Sequence, residues 1–394
     1  MPQKPENPRR VAFMLDLEWP YKRHTGIFAG TQRYAQEQGW KSTIDEYVAE
    51  SLPERRTKSI PYDGIIARVT KRLARRSARI GLPVVNVWIA SPVWRQLPGV
   101  FPDFAAIGRL RAEHLMARGL RRFAAFGRKE RGFRIEAAAF QAAVNEAGFP
   151  CYTVTLPLHS LQTYASWRKY RQRIESLIRS WRPPIGVFTY SEAVGCTVAQ
   201  TCRQRGWRVP HDVAIVAGMN EESLCEHPRP SLTSVELGYD RIGYEAARML
   251  DRLMDGQAPP TEPILLPPKG LVVRESTDFF AVEDPVMSAA LEFIAANSHR
   301  HQLGANDVAR AVNIGLRTLQ RQFREYLDRP IIAEIQRVRI ERAKRELAQS
   351  KRPIQEIAQD AGFGRSKRMY EAFRRELGVT PREYRKKRQI ESKT

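Results

Sequence analysis

Pro353-Ile354-Gln355-Glu356-Ile357-Ala358-Gln359-Asp360-Ala361-Gly362-Phe363 runs on, after Gly364, into Arg365-Ser366-Lys367-Arg368-Met369 and a segment ending near Leu377. Pro353 can open a helix, and Ile354, Ile357, Ala358 and Ala361 share one face of it. Gly362 permits a turn and Phe363 plugs it. A second helix over 365–377 places Met369, Phe373 and Leu377 on an apolar stripe. Its N-terminal end is crowded by Arg365, Ser366, Lys367 and Arg368. Two short helices about a glycine turn, the second with a basic start, form a helix-turn-helix pattern. In that arrangement the start of the second helix meets base edges in a DNA major groove.

The same plan occurs once before. In a unit over about 304–328, Asn306 is a candidate cap, and Val308, Ala309 and Val312 follow at helical spacing. Asn313-Ile314-Gly315 reads as a tight turn, with Gly315 as the next N-cap. Leu316, Leu319, Phe323 and Leu327 then fall on one stripe, and Arg317, Gln320, Arg321 and Arg324 on another. The apolar stripe docks the helix. The polar stripe is free to read a groove, where Arg suits guanine and Gln suits adenine. The second unit covers about 353–377. Between the units, 331–348 reads as one continuous helix with no Gly or Pro inside it. A stiff connector of this kind sets two recognition helices into successive major grooves, roughly 34 Å apart.

Charge agrees with this reading. The chain has 394 residues, with 65 Lys+Arg against 43 Asp+Glu and a net charge of +22. From Pro285 onward there are 24 basic and 13 acidic residues, so half of the excess sits in the last 110 residues. That concentration is the footprint of a phosphate-binding module. The four cysteines, Cys151, Cys196, Cys202 and Cys225, have neither disulfide-framework nor zinc-site spacing and read as reduced thiols of a cytoplasmic protein. Cys225-Glu226-His227 and the His299/His301 pair read as incidental rather than as metal sites. The first ten residues have no apolar signal core, and no apolar run approaches 18 residues, so neither secretion nor a membrane span is expected. Walker, nucleophile-elbow, zincin and dinucleotide motifs are missing from the sequence, so neither an enzyme nor a bound cofactor is expected.

Residues 10–280 alternate between short apolar strands and helices. Strands are expected at 10–17, 64–69, 83–87, 122–126, 152–156, 185–189 and 213–217. Helices are expected at 26–38, 109–118, 136–147, 167–181, 194–205 and 242–254. This alternation predicts parallel sheets covered on both faces, in two halves with a ligand cleft at the carboxyl ends of the strands.

Residues 285–388 resemble the DNA-binding domain of the AraC/XylS family. The resemblance rests on Arg317-Thr318-Leu319-Gln320-Arg321-Gln322-Phe323, on Gly362-Phe363 with Phe373-Arg374-Arg375, and on Gly378-Val379-Thr380-Pro381-Arg382-Glu383-Tyr384-Arg385. It implies base contacts from Arg317, Gln320 and Arg321, then from Ser366, Lys367 and Arg368. Arg388, further on, reads either as a phosphate contact or as part of a frayed tail. Met369 stands where the family usually has an aromatic residue, and Glu371 where an Arg is frequent.

Residues 9–278 resemble the effector domain of the LacI/GalR family, which is built like a periplasmic sugar-binding protein. The matching stretches include Tyr62-Asp63-Gly64-Ile65-Ile66, Leu82-Pro83-Val84-Val85, Gly206-Trp207-Arg208-Val209-Pro210 and Val273-Arg274-Glu275-Ser276-Thr277. The expected fold is thus an α/β two-lobed, periplasmic-binding-protein-like sensor domain followed by an all-α tandem helix-turn-helix domain. That order resembles the layout of the xylose-operon regulators. It implies a homodimer on double-stranded promoter DNA, a small sugar-type effector of pentose character, and RNA polymerase as partner where the protein activates. The segments 239–254 and 262–278 are expected to carry the signal between the domains.

The candidate effector residues are Lys22, Trp88, Arg134, Glu136, Glu192 and Asn220. Against the family pattern, Lys22 stands where an Asp is expected, Glu136 where an Arg is usual, and Asn220 in place of an Asp. Reversed polarity of this kind suits a different, acidic ligand. Trp88 leads the candidate aromatics over Trp19, Tyr21, Trp94 and Tyr190, because it runs directly off a strand into a Ser-Pro turn. The other reading is a domain that has lost its ligand and only dimerises.

Overall fold

The computed structural model describes residues 8–18, 22–55, 60–156, 163–279, 284–350 and 352–391. Trp19 and Tyr21 lie outside them. The chain divides into two compact units, Met1–Asp278 and Phe279–Thr394.

The first unit holds β1 (Arg10–Met14), β2 (Lys41–Ile44), β3 (Gly64–Ala67), β4 (Val84–Asn86), β5 (Val100–Pro102) and β6 (Phe123–Arg128). These are followed by β7 (Cys151–Leu156), β8 (Ile185–Thr189), β9 (Val213–Ala217), β10 (Thr233–Glu236), β11 (Ile264–Leu266) and β12 (Gly270–Val272). Its helices are α1 (Lys22–Gln38), α2 (Val48–Ser51), α3 (Lys71–Ile80), α4 (Phe104–Ala117), α5 (Arg131–Glu146), α6 (Tyr164–Arg179), α7 (Glu192–Gln204), α8 (Glu222–Glu226) and α9 (Tyr239–Met254).

Two sheets result, in the orders β2-β1-β3-β4 and β12-β10-β9-β8-β6-β7, with β5 pairing β11 apart from both. All pairs are parallel except β10 with β12. The central strands β8 and β9 are buried at every position, as expected of continuous Val/Ile runs covered on both faces. The edge strands β2 and β7 are largely exposed, and their sequences KSTI and CYTVTL carry the polar residues an edge tolerates. The chain passes between the lobes three times, from β5 into α4, from β10 into α9 and from β11 into β12. The segment 262–278 thus supplies the third crossing, an antiparallel edge strand and a terminal 3₁₀ turn.

Several elements begin earlier than hydrophobic periodicity indicated. Helix α1 starts at Lys22 rather than 26, α4 at Phe104 rather than 109, and α5 at Arg131 rather than 136. The added turns are polar or follow strand ends directly, so the apolar stripe does not register them. Strands β2, β5, β10, β11 and β12 have three or four residues each, too short for an alternating pattern to show.

The second unit comprises α10 (Pro285–Asn297), α11 (Ala305–Ala311), α12 (Leu316–Leu327), α13 (Ile331–Gln349), α14 (Ile354–Asp360), α15 (Ser366–Leu377) and α16 (Pro381–Glu391). It has two separate cores. Met287, Ile294, Val308, Leu319 and Phe323 pack with Ile331 and Ile335 from the front of α13. Ile357, Phe363, Met369 and Phe373 pack with Ile340, Ala343 and Leu347 from its back. Asn306 is not the cap of α11. Gly304 takes that position, and its amide donates to Asp307 Oδ2 at 2.9 Å, so the carboxylate three residues on closes the helix start.

Helices α1 and α9 cross through glycines. A Cβ on Gly30 would lie within 2.8 Å of the Tyr244 amide nitrogen, and one on Gly243 within 2.9 Å of that of Thr31. Only backbone without side chains fits there, which lets α9 cover β1, β3 and β4. Gly243→Ala is expected to destabilise the first unit by about 1–3 kcal/mol through overpacking. Urea unfolding followed by tryptophan fluorescence checks this, since all seven tryptophans lie before residue 279.

Candidate nucleic-acid interface and effector cleft

In the first helix-turn-helix unit, Asn313 takes a left-handed backbone (φ 54°) between α11 and α12. Leu319, Phe323 and Leu327 of α12 are buried. The opposite face leaves Arg317, Gln320 and Arg321 exposed, with Arg321 Nε 3.7 Å from Glu325 one turn along. In the second unit Gly362 (φ 86°) and Gly364 (φ 73°) make the turn. Met369, Ala372 and Phe373 then dock α15. Arg365 forms the N-cap, Ser366 is half-buried, and Lys367, Arg368 and Glu371 are exposed. Every residue expected to meet base edges therefore lies on the undocked face or at the start of its recognition helix. The side chain of Arg388 lies outside the described residues.

The two units share more than α13. Arg339, on that helix, is only 9% exposed and donates from Nε to the Ser298 carbonyl (3.0 Å) and from Nη2 to the Arg300 carbonyl (2.7 Å). Those carbonyls belong to the turn after α10. Gly362 packs on the same spot, where a Cβ would be 3.0 Å from Arg339 Nε and closer still to the Ser298 oxygen. The guanidinium thus binds the first unit's loop against the second unit's turn. Burial, and then the nearby Arg368 charge, lower its pKa. Sequence reading missed Arg339, because an arginine between Val338 and Ile340 on a long basic helix looks solvated. Glu334 is a second buried charge on α13, held by Arg329 at 3.2 Å and Arg337 at 2.8 Å.

In the first unit the carboxyl ends of both sheets face each other. A set of hydrogen bonds joins the lobes there. Arg131, at the start of α5, donates to the carbonyls of Ile89 (3.1 Å) and Ser91 (3.3 Å) beyond β4. The Lys22 amide donates to Glu221 Oε2 (3.1 Å), and Lys22 Nζ to Glu236 Oε2 (2.9 Å). Asn220, in a left-handed conformation after β9 (φ 60°), donates to the same Glu236 oxygen at 2.9 Å. Burial opposes ionisation of Glu236, but the bonds from Lys22, Asn220 and the Gly238 amide outweigh it and hold the carboxyl below its usual value.

The other candidates are placed differently. Trp88 is half-buried at the cleft, with the Arg68 guanidinium 5.0 Å above its ring. Glu192 is 3% exposed and accepts the amides of Met219 (2.6 Å) and Glu221 (3.1 Å), so it shapes the loop after β9. Gly218 allows this, since a Cβ there would overlap the Glu192 carboxylate. Glu136 lies in the second turn of α5, fully buried and bonded to the fully buried Arg111 of α4 at 2.8 Å. Burial raises its pKa in spite of Arg111. Arg134 is exposed; Arg131, one turn earlier, bridges the lobes instead. His24, also at the cleft, has its pKa lowered to about 4, by burial first, against a bond to the Asp16 carbonyl, and then by the charges of Arg68 and Arg23. Cys225 is buried among Ser234 and Glu192, and burial pushes its thiol up to about 12. Among the described residues no helix is long and apolar enough to cross a membrane, and no group of three or more His, Cys, Asp or Glu could hold a metal ion.

Residues 112–277 match the family model of a periplasmic binding protein-like domain, and residues 308–387 that of a helix-turn-helix domain. The chain is therefore a DNA-binding transcription regulator, with a periplasmic-binding-protein-like domain followed by a tandem helix-turn-helix domain. It is similar along its length to the xylose operon regulatory protein of Haemophilus influenzae, with 26% identity over 388 residues, 95% of this chain and 98% of the relative. The protein of that name from Escherichia coli strain K12 is also 26% identical, over 385 residues, 95% of this chain and 96% of the relative. The solved structure of a xylose-binding transcription activator, xylR, shares the fold with a TM-score of 0.65 at 24% identity, covering 97% of this chain and 98% of that one. A transcriptional regulator CelR–cellobiose complex shares the fold of the first unit, with a TM-score of 0.54 at 22% identity over 68% of this chain and 85% of that one.

Arg317→Ala or Arg321→Ala is expected to cost about 1–3 kcal/mol of operator affinity and to relax specificity at a single base pair. Anisotropy titrations against the operator and its point-substituted versions read both effects. A uniform loss across all sequences would instead assign these side chains to phosphates.

Proposed function

We propose that residues 9–278 bind a small sugar-type effector in the cleft between the lobes and thereby control promoter binding by residues 285–388. The protein acts as a cytoplasmic homodimer that activates sugar-catabolic genes through RNA polymerase, and it carries neither catalysis nor a cofactor. Base contacts come from Arg317, Gln320 and Arg321 in one groove and from Arg365, Ser366, Lys367 and Arg368 in the next. The observation that carries the effector reading is the ring of bonds joining the lobes at the strand ends, from Arg131 to Ile89 and Ser91 and from Lys22 to Glu221. A ligand seated inside that ring touches both lobes and favours their closed arrangement. Lys22, Trp88 and Asn220 stand at the cleft. Proteins of similar fold, namely a xylose-binding activator and regulators in complex with cellobiose or D-xylulofuranose, support a sugar-like ligand.

Control needs only a difference in effector affinity between two states, typically 1–3 kcal/mol of coupling. One observation favours a second reading, in which the first domain has lost its ligand and only dimerises. Glu136 and Glu192, both candidate ligand acceptors, are committed to Arg111 and to backbone amides.

A thermal-shift screen of the full chain against pentoses, hexoses, sugar acids and sugar phosphates separates the two. An effector at 100 times its dissociation constant is expected to add about 2.7 kcal/mol of stability. A flat response across the panel would establish the dimerisation-only reading.

A further inference from the structure

The cleft aromatics are not bare. Arg68 lies over Trp88 at 5.0 Å, Arg131 over Trp94 at 4.5 Å, and Arg128 over Tyr190 at 5.1 Å. A neutral sugar stacks its C–H side on an open aromatic face, and here guanidiniums occupy these faces. An arginine stacked flat points its N–H edge sideways, in the geometry that meets a carboxylate or phosphate with two parallel bonds.

The charge balance leans the same way. The cleft acids are already committed, Glu136 to Arg111, Glu192 to the Met219 and Glu221 amides, and Glu236 to Lys22 and Asn220. Arg128 pairs with Glu130 at 2.9 Å, but Arg68, Arg23 and Arg131 lack so close a carboxylate among the described residues. Arg68 Nε is buried without an acceptor, and its Nη1 stands 3.5 Å from Asp16. Arg23, next along the wall, meets the Met219 sulfur at 3.9 Å and the Tyr239 hydroxyl, neither of them a carboxylate. Arg131 meets carbonyls rather than a carboxylate. Among the described residues only Arg68, of these three, has a carboxylate within 4 Å, that of Asp16. Burial, offset by Asp16 and reinforced by Arg23, lowers the pKa of Arg68, consistent with an under-compensated positive site.

We infer that the effector is an anionic sugar derivative whose carboxylate or phosphate is held by Arg68 and Arg23 on the first lobe, with Arg131 closing over it from the second. This inference rests on the reading of the cleft as an effector site. An anion in that position supplies the missing counter-charge and bridges the lobes, so closure is strengthened by the group that distinguishes it from a neutral sugar.

The test is isothermal titration of the full-length chain with D-xylose and D-ribose as neutral probes, D-xylonate and D-galacturonate as carboxylates, and D-ribose 5-phosphate as a phosphate. An anionic probe is expected to bind, its neutral counterpart at least about tenfold more weakly, with affinity falling as salt rises. Arg68→Gln is expected to weaken the anionic probe by about 10–100-fold, the range for a lost hydrogen bond to a charged group. Arg68→Lys should recover part of that loss. Unchanged promoter affinity without ligand shows that each variant is folded. Should Arg68→Gln fail to fold, Arg23→Gln, on a partly exposed side chain, carries the same expectation. Whether the carboxylates or the phosphate bind identifies the group. A neutral pentose binding wild type and Arg68→Gln alike overturns the inference while the effector reading stands. Binding of none of the probes overturns both.

Discussion

One carboxylate holds the geometry of the cleft. Glu236 ends β10 where the chain crosses back between the lobes. It accepts Lys22 Nζ and Asn220 Nδ2 on one oxygen and the Gly238 amide on the other. Each donor comes from a different part of the fold, namely the start of α1, the loop after β9 and the left-handed residue that begins α9. Asn220 passes the connection on, since its carbonyl oxygen accepts Arg274 Nη2 at 2.8 Å and Ser234 Oγ at 3.2 Å. The lobes are thus joined by a polar network at a crossing, and not by an apolar interface alone. Such a network has discrete arrangements, which a switching element needs.

The DNA-binding unit solves a related problem in a different way. Its two cores are separate, and a helix shared between two cores could bend. Arg339 stiffens the junction by binding the turn at Ser298 and Arg300 on one side and resting on Gly362 on the other. A charge buried there is costly unless its donors are met, and the backbone carbonyls meet them. Spacing between the recognition helices is therefore set by a polar clamp as well as by the length of α13.

The parts legible in the sequence are those fixed by local periodicity. The apolar stripes of α12 and α15, the turns at Asn313 and Gly362, and the alternation of strands and helices all follow from spacing within a few residues. Long-range charge pairing is not local, and there the sequence misleads. Arg111 looks like a surface helix residue, and Glu136 like a cleft ligand. They are buried because Gly108 brings α4 so close to α5 that a Cβ there would be 2.9 Å from the Phe140 amide nitrogen. Arg131 escaped notice because α5 begins a turn and a half before its apolar stripe does. Arg68 reads as the polar end of β3, and only the fold sets it on Trp88. Of the three positions that depart from the family pattern, Lys22 and Asn220 meet at Glu236 between the lobes, whereas Glu136 is buried against Arg111.

Ligand control of DNA binding is the claim on which the functional reading turns, and reciprocity of linkage makes it measurable. The direct measurement is an anisotropy titration of a labelled promoter fragment by the full chain, with and without a saturating amount of the compound that most raises its melting temperature. Coupling through the cleft predicts a change of about 5–150-fold in the dissociation constant, with DNA changing the ligand's affinity by the same factor. Identical dissociation constants in the two titrations would contradict it and leave the first domain without a part in regulation by ligand.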